Sequence, residues 1–105
     1  MLAKPYRLHA SIKFPNPSFA QTPFFRILSQ SNSLTHNRFG FVVSKKIDKR
    51  AVVRNRLKRV LREVASTLLV TGDGKDVLFI VKKSFVTEKT EDMFFQVQEA
   101  LKKIL

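Results

Sequence analysis

The chain has no cysteine, so neither a disulfide nor a thiolate metal site is possible. Acidic residues are almost missing from its first part. Residues 1–62 carry fourteen lysines and arginines against a single acid, Asp48, while residues 63–105 carry six against seven. Proline is absent after residue 23. No stretch approaches the roughly 18 apolar residues of a membrane span, and the N-terminal MLAKPYRLHASIKF lacks an apolar run of signal-peptide length. These absences lead to the expectation of a soluble, cytoplasmic protein. A catalytic constellation is missing as well. His9 and His36 lie far apart with no carboxylate at motif spacing, and the eight acids show no paired pattern. Gly72-Asp73-Gly74-Lys75 lacks the G-x-x-x-x-G-K-[ST] spacing of a phosphate loop and suits a tight turn. No catalytic or metal-binding residue is therefore expected in the protein itself.

What is present is a folded, strongly basic chain. With 105 residues, 44% of them hydrophobic and ten of them phenylalanine, it is expected to form one domain, residues 1–105, with a modest core. The net charge of +12 is concentrated. Residues 45–63, KKIDKRAVVRNRLKRVLRE, hold nine of the twenty basic residues: Lys45, Lys46, Lys49, Arg50, Arg54, Arg56, Lys58, Arg59 and Arg62. Charge at that density repels itself and points to a partner with regular negative charge, such as nucleic acid.

Pro5, Pro15, Pro17 and Pro23 make residues 1–23 an extended or partly irregular arm, since each removes a backbone donor and restricts its predecessor. Residues 24–29 (FFRILS) read as a strand and 31–37 (SNSLTHN) as a loop between antiparallel strands. Residues 39–44 (FGFVVS) form the clearest strand, with Phe39, Phe41 and Val43 on one face. Gly40 leaves a spot on the other face where something can approach closely. A helix is predicted from Lys49 or Ala51 to Leu69, because Val53, Leu57, Val60, Leu61, Val64 and Leu68 form one stripe of 3.6-residue period. After a turn at 71–76, residues 77–81 (VLFIV) read as a central strand buried on both faces. Thr90 is expected to cap a last helix. Its first turn would hold Glu91 and Asp92, its stripe Phe94, Val97, Leu101 and Ile104, and its end Lys102 and Lys103. Phe39, Phe41, Phe79 and Phe94 are expected in the core. The order predicts an α+β fold, a small sheet with helices on one face in a two-layer sandwich.

The first helix carries its cations opposite its stripe. Arg54, Lys58 and Arg62 stand at i, i+4 and i+8, with Asn55 and Arg59 beside them and Arg56 on the other edge of the stripe. Like charges at that spacing destabilise a helix by a few tenths of a kcal/mol per pair. A helix needing only solubility would intersperse glutamates, and here only Glu63 appears, at the end. The guanidinium fork binds two phosphate oxygens at once, and Asn55 can donate to sugar or phosphate or read a base edge. DNA is the less favoured partner, since a groove reader concentrates its base contacts near one end of the helix.

In this context Arg54-Asn55-Arg56, within AVVRNRLKRVLRE and preceded by FGFVVSKK, resembles the RNR signature of the bacterial ribonuclease P protein component family. MLAKPYRL resembles that family's start, a short basic segment leading to an Arg-Leu pair. With the downstream strand and helix, the resemblance covers essentially the whole chain. It implies a ribosomal-protein-like α/β sandwich, mainly antiparallel, with a left-handed βαβ crossover. It also implies an accessory subunit of the endoribonuclease that removes the 5′ leader of precursor tRNA. There the RNA subunit performs the chemistry with bound Mg2+, and the protein alone binds no cofactor. The implied partners are that RNA subunit and the leader, with no membrane and no obligate protein partner. Carried over by position, Lys45, Lys46, Arg54, Asn55, Arg56, Lys58, Arg59 and Arg62 become RNA-contact candidates, joined by Lys49 and Arg50 of the same basic stretch. Phe14 and Phe19 are leader candidates, able to stack on unpaired bases or to lie as lids over the sheet. Family members usually have a short amphipathic helix where this chain has SIKFPNPSFAQTPFF, which is shorter and interrupted by Pro15 and Pro17. That helix is expected to be truncated or replaced by extended chain. The alternative is a non-catalytic RNA-binding module, a ribosomal protein or RNA chaperone.

Overall fold

The computed structural model describes residues 2–8, 13–15, 17–70 and 72–105. Four strands, β1 (Ser18–Gln21), β2 (Phe25–Ser31), β3 (Arg38–Val42) and β4 (Lys75–Val81), form one sheet in the order β1-β2-β4-β3. The β1–β2 and β2–β4 pairs are antiparallel and β3–β4 is parallel. Helix α1 (Ala51–Ala65) therefore joins two neighbouring parallel strands as a βαβ crossover, and α2 (Thr90–Ile104) follows β4 after a 3-10 turn at Lys83–Thr87. This is the α+β sandwich expected from the order of elements.

Strand alternation sends one face of the sheet to the helices. Phe25, Ile27, Phe39, Val77, Phe79 and Val81 are buried there against Leu57, Val60, Leu61 and Val64 of α1 and Met93, Val97, Ala100 and Leu101 of α2. Phe25 meets the Phe79 and Phe85 rings at centroid distances of 5.3 and 4.7 Å. Leu57 and Leu61 are wholly buried, each contributing on the order of 2 kcal/mol of apolar transfer. The α1 stripe is as predicted, with Ala65 added and Val53 half-buried.

Four details differ from the reading of the sequence. β1 is a strand within the proline-rich arm. Its SFAQ sequence shows no buried face, and it is held by pairing with β2. Helix α1 stops at Ala65, short of Leu69. Beyond it, buried Asn37 collects the chain end: its Nδ2 donates to the Leu68 carbonyl at 2.7 Å and its N–H to that of Leu69 at 2.8 Å. The same side chain accepts the Lys75 N–H at 3.0 Å, which ties the end of α1 to the start of β4. Thr90 is the first residue of α2, with Lys89 at the cap position and no side-chain cap bond. On β4, Val77, Phe79 and Val81 are buried, but Leu78 and Ile80 are only half-covered.

That half-covered side is the face of the sheet away from the helices. The register aligns Phe19, Leu28, Leu78 and Gly40 in one row and Gln21, Arg26, Ile80 and Val42 in the next. The arm borders it. Leu2 is buried in the core, Arg7 forms a parallel bridge to Phe39, and the Leu8 N–H donates to the Phe39 carbonyl at 2.9 Å. A Cβ on Gly40 would stand 3.1 Å from both Leu8 Cδ1 and Leu78 Cδ1, so Leu8 makes the close approach that the glycine suggested. His36 anchors the arm from the loop, its Nε2 bonded to the Pro5 carbonyl at 2.9 Å and its ring against Tyr6 at 5.0 Å. His9 lies outside the described residues.

Candidate nucleic-acid interface

The loop into α1 sets how its cations are presented. Lys45, Lys46, Lys49 and Arg50 are exposed between β3 and the helix. Asp48 accepts the Arg50 N–H at 2.8 Å, Arg50 Nε at 3.1 Å and Arg50 Nη2 at 3.0 Å. Those side-chain bonds, then the backbone bond, draw the Asp48 carboxyl down to about 2 and raise the Arg50 guanidinium. Arg50 thus has an internal counter-charge. Arg54 also differs from the simple outward picture. It is half-buried, and its Nη1 donates to the carbonyls of Asp48 and Lys49 at 3.0 and 2.8 Å. It braces the first turn of a helix that has no side-chain cap.

The other polar side chains of the helix lie on the side away from its buried stripe. Val52, Asn55, Arg56, Arg59, Arg62 and Glu63 line one open groove of about 470 Å³, at spacings of i, i+3, i+4, i+7, i+10 and i+11 opposite the core stripe. Asn55, Arg56 and Arg59 are exposed and Arg62 is half-buried. Neighbours at these spacings stand about 5–6 Å apart at Cβ, close to the span between successive phosphates. Lys58 and Arg62 lie on the edge toward β3. There they meet Arg7 around a smaller recess of about 220 Å³, floored by Leu2, Leu8, Phe39, Gly40 and Phe41. Arg7 is the cation that a reading of residues 45–62 alone omits. Its only sequence signal was its place in the Arg-Leu pair. Among the described residues, none of Arg7, Lys58, Arg59 and Arg62 takes part in an ion pair with an acid of the chain. Concentrated positive charge without internal neutralisation is an electrostatic footprint for a polyanion.

The open side of the sheet is a second surface. Phe19 is 60% exposed and Val42 42% exposed, with exposed Arg26 beside them. Phe19 is therefore a displayed ring rather than a lid, while Phe14, earlier in the arm, is half-buried. Nearby, Lys13 offers its carbonyl to Gln30 Nε2 at 3.1 Å. Among the described residues no group of three or more His, Cys, Asp or Glu side chains could hold a metal ion. No helix among them is long and apolar enough to cross a membrane.

A two-layer α+β sandwich with an unneutralised basic helix on one side and a bare, partly aromatic sheet face on the other defines a class of small proteins built to sit against a polyanion. A family model described as Ribonuclease P matches residues 2–105. The chain belongs to the ribonuclease P protein family and is a protein subunit of that endoribonuclease. It is 34% identical over 96 residues to the ribonuclease P protein component of Pseudoalteromonas translucida (strain TAC 125), covering 91% of this chain and 69% of the relative. Its fold is similar to the RNase P protein of Staphylococcus aureus, with a TM-score of 0.76 and 26% identity over 84% of this chain and 81% of that one. It is also similar to the RNase P protein of Thermotoga maritima, with a TM-score of 0.69 and 27% identity over 94% of each chain. Family membership displaces the reading as a ribosomal protein or RNA chaperone.

Proposed function

We propose that this subunit docks on the catalytic RNA of ribonuclease P through α1 and guides the 5′ leader of precursor tRNA along the open face of its sheet. The observation that carries the first half is the outward row Asn55, Arg56, Arg59 and Arg62, which among the described residues forms no ion pair with an acid. Lys45, Lys46, Lys49 and Lys58 extend the same surface, while Arg50 and Arg54 serve it partly by ordering the loop. Bond cleavage is assigned to the RNA with its Mg2+, hydrolysing a phosphodiester to 5′-phosphate and 3′-hydroxyl ends. The protein contributes charge neutralisation and substrate placement, with no cofactor or obligate protein partner of its own, and works in the cytoplasm.

The test is cleavage of precursor tRNA by a cognate RNA subunit at low Mg2+, with and without the protein. Stimulation is expected, because cations on α1 replace screening that Mg2+ otherwise supplies. No stimulation at any protein concentration would sink the proposal. For the leader half, Phe19→Ala is expected to weaken leader-bearing tRNA about tenfold, in line with roughly 1–3 kcal/mol per stacked base. Mature tRNA should bind the variant as it binds the original protein. Equal losses on both substrates would argue against leader stacking.

A further inference from the structure

Where α1 lies against α2 there is another groove of about 310 Å³, lined by Arg56, Arg59, Val60, Glu63, Thr90 and Phe94. Its acid is badly placed for stability. Glu63 sits in the last turn of α1, where the helix dipole favours cations. Arg59 precedes it by four residues, the poorer orientation for an ion pair. None of the three ion pairs among the described residues includes it. Among the described residues its backbone alone is engaged, the carbonyl accepting Ser66 Oγ at 2.6 Å. A free carboxylate on a surface that meets a polyanion weakens binding through repulsion, unless the carboxylate itself accepts a hydrogen bond.

RNA offers such donors on its base edges and its 2′-hydroxyls, and the aromatic surroundings here suit a base. Phe94 is half-buried and supplies an aromatic ring at the α2 side of the groove, and Thr90 is exposed there. Arg56 reaches toward α2, with Nη2 3.9 Å from Met93 Sδ, which holds a guanidinium over the same opening. A volume near 300 Å³ is at the small end of ligand clefts and matches a single nucleotide rather than a helix. Unstacked bases in single-stranded RNA are commonly held this way, by an aromatic face and by hydrogen bonds to their Watson–Crick edge.

We propose that this groove binds one unpaired guanosine of the RNA partner, with its N1–H and N2–H donating to the two carboxylate oxygens of Glu63. Phe94 stacks on the base, and Arg56 and Arg59 hold the flanking phosphates. Guanine is selected because it presents two donors side by side. Adenine and cytosine place a ring-nitrogen acceptor beside their single amino group, and uracil flanks its one N–H with carbonyl oxygens. Each of those acceptors would face the carboxylate and be repelled. The inference rests on the proposed docking of α1 on RNA and names a base that this surface reads.

The experiment uses the full chain and short single-stranded uridine tracts with one central guanosine, adenosine or inosine. The guanosine probe is expected to bind about tenfold tighter than the adenosine probe, the low end for a good bidentate contact. Inosine, which lacks the N2 amine, should fall between them. In Glu63→Gln the guanosine preference should shrink to within about twofold, while affinity for an all-uridine tract stays equal or rises as a negative charge is removed. Arg59→Ala should weaken every probe and lower its salt dependence. A guanosine preference absent from the original protein, or retained in Glu63→Gln, overturns this inference alone when Arg59→Ala behaves as stated. Equal tightening of all probes in Glu63→Gln, with their ratios unchanged, also overturns it by making the residue a simple electrostatic brake. If Arg59→Ala changes nothing on any probe, the docking of α1 fails and this reading fails with it.

Discussion

Replacing Asp76 with alanine should lower the unfolding free energy by about 3 kcal/mol, the low end of the range for removing one partner of a buried ion pair. In a chain of this length that corresponds to a fall of roughly 10–15 °C in melting temperature. Asp76 is 1% exposed at the start of β4. Its Oδ1 accepts Arg38 Nε at 2.7 Å and Asn32 Nδ2 at 3.0 Å, and its Oδ2 accepts Arg38 Nη2 at 2.7 Å. The fork binds across the parallel pairing of β3 with β4, since Arg38 stands opposite Asp76 in the register. Asn32 also donates to the His36 carbonyl and accepts the Leu34 N–H, so the loop between β2 and β3 depends on the same carboxylate. The low end of the range applies because the Arg38 side chain keeps 26% exposure and can recover some hydration when its partner is removed.

The pH dependence follows from the same contacts. Burial pushes the Asp76 carboxyl up. The hydrogen bonds from Arg38 and Asn32, the Arg38 charge and a weaker bond from Gln30 outweigh that and hold it below its ordinary 3.8. A depressed folded pKa stabilises above the unfolded value and loses that contribution as pH falls through the folded value. Urea unfolding should therefore show the gap between the original protein and Asp76→Asn at full size above about pH 4 and narrowing in more acid solution. A constant gap down to pH 2, or a loss under about 0.5 kcal/mol for Asp76→Ala at neutral pH, would remove the pair as a determinant of stability.

Asp76 also shows where reading the sequence reaches its limit. Helix α1 and strand β3 were legible because their apolar residues repeat at 3.6 and 2 residues, and burial follows such a period directly. An ion pair between residues 38 apart leaves no periodic trace, so Asp76 looked like one more unpaired acid. β1 was illegible for a similar reason. Its largely exposed SFAQ has no apolar alternation, and its extended form comes from backbone pairing with β2. The cationic face was legible as a face, because residues that do not fit the stripe must point away from it. What each cation touches was not. Arg54 turns back to loop carbonyls, Arg50 closes on Asp48, and Arg7 joins Lys58 and Arg62 from more than fifty residues away in the chain.

That division separates structural cations from available ones, and it sets the largest expected effect on binding. The triple substitution Arg56→Ala, Arg59→Ala and Arg62→Ala should weaken affinity for the cognate RNA subunit by on the order of a thousandfold near physiological salt. Hydrogen bonds to charged groups contribute about 1.5–3 kcal/mol each, and three are removed, with the lower figure applying at a solvent-exposed surface. The slope of log K against log[salt] should fall by two to three units, about 0.7–0.9 for each phosphate that the protein no longer neutralises. Substituting Lys102 and Lys103 with alanine removes two charges from the far end of α2 and should leave that slope nearly unchanged. Fold stability should move the other way. Arg56, Arg59 and Arg62 repel one another at i+3 spacing, so the variant is expected to melt at the same temperature as the original protein or slightly higher. Arg54→Ala, by contrast, should lower thermal stability by freeing two loop carbonyls, with a smaller change in salt slope. A triple variant that keeps the original slope would locate the RNA interface elsewhere. One that loses affinity and melting temperature together would show that these arginines hold the fold. Weakened binding with an intact or improved fold is the outcome that identifies α1 as a surface whose self-repulsion is retained for the sake of its partner.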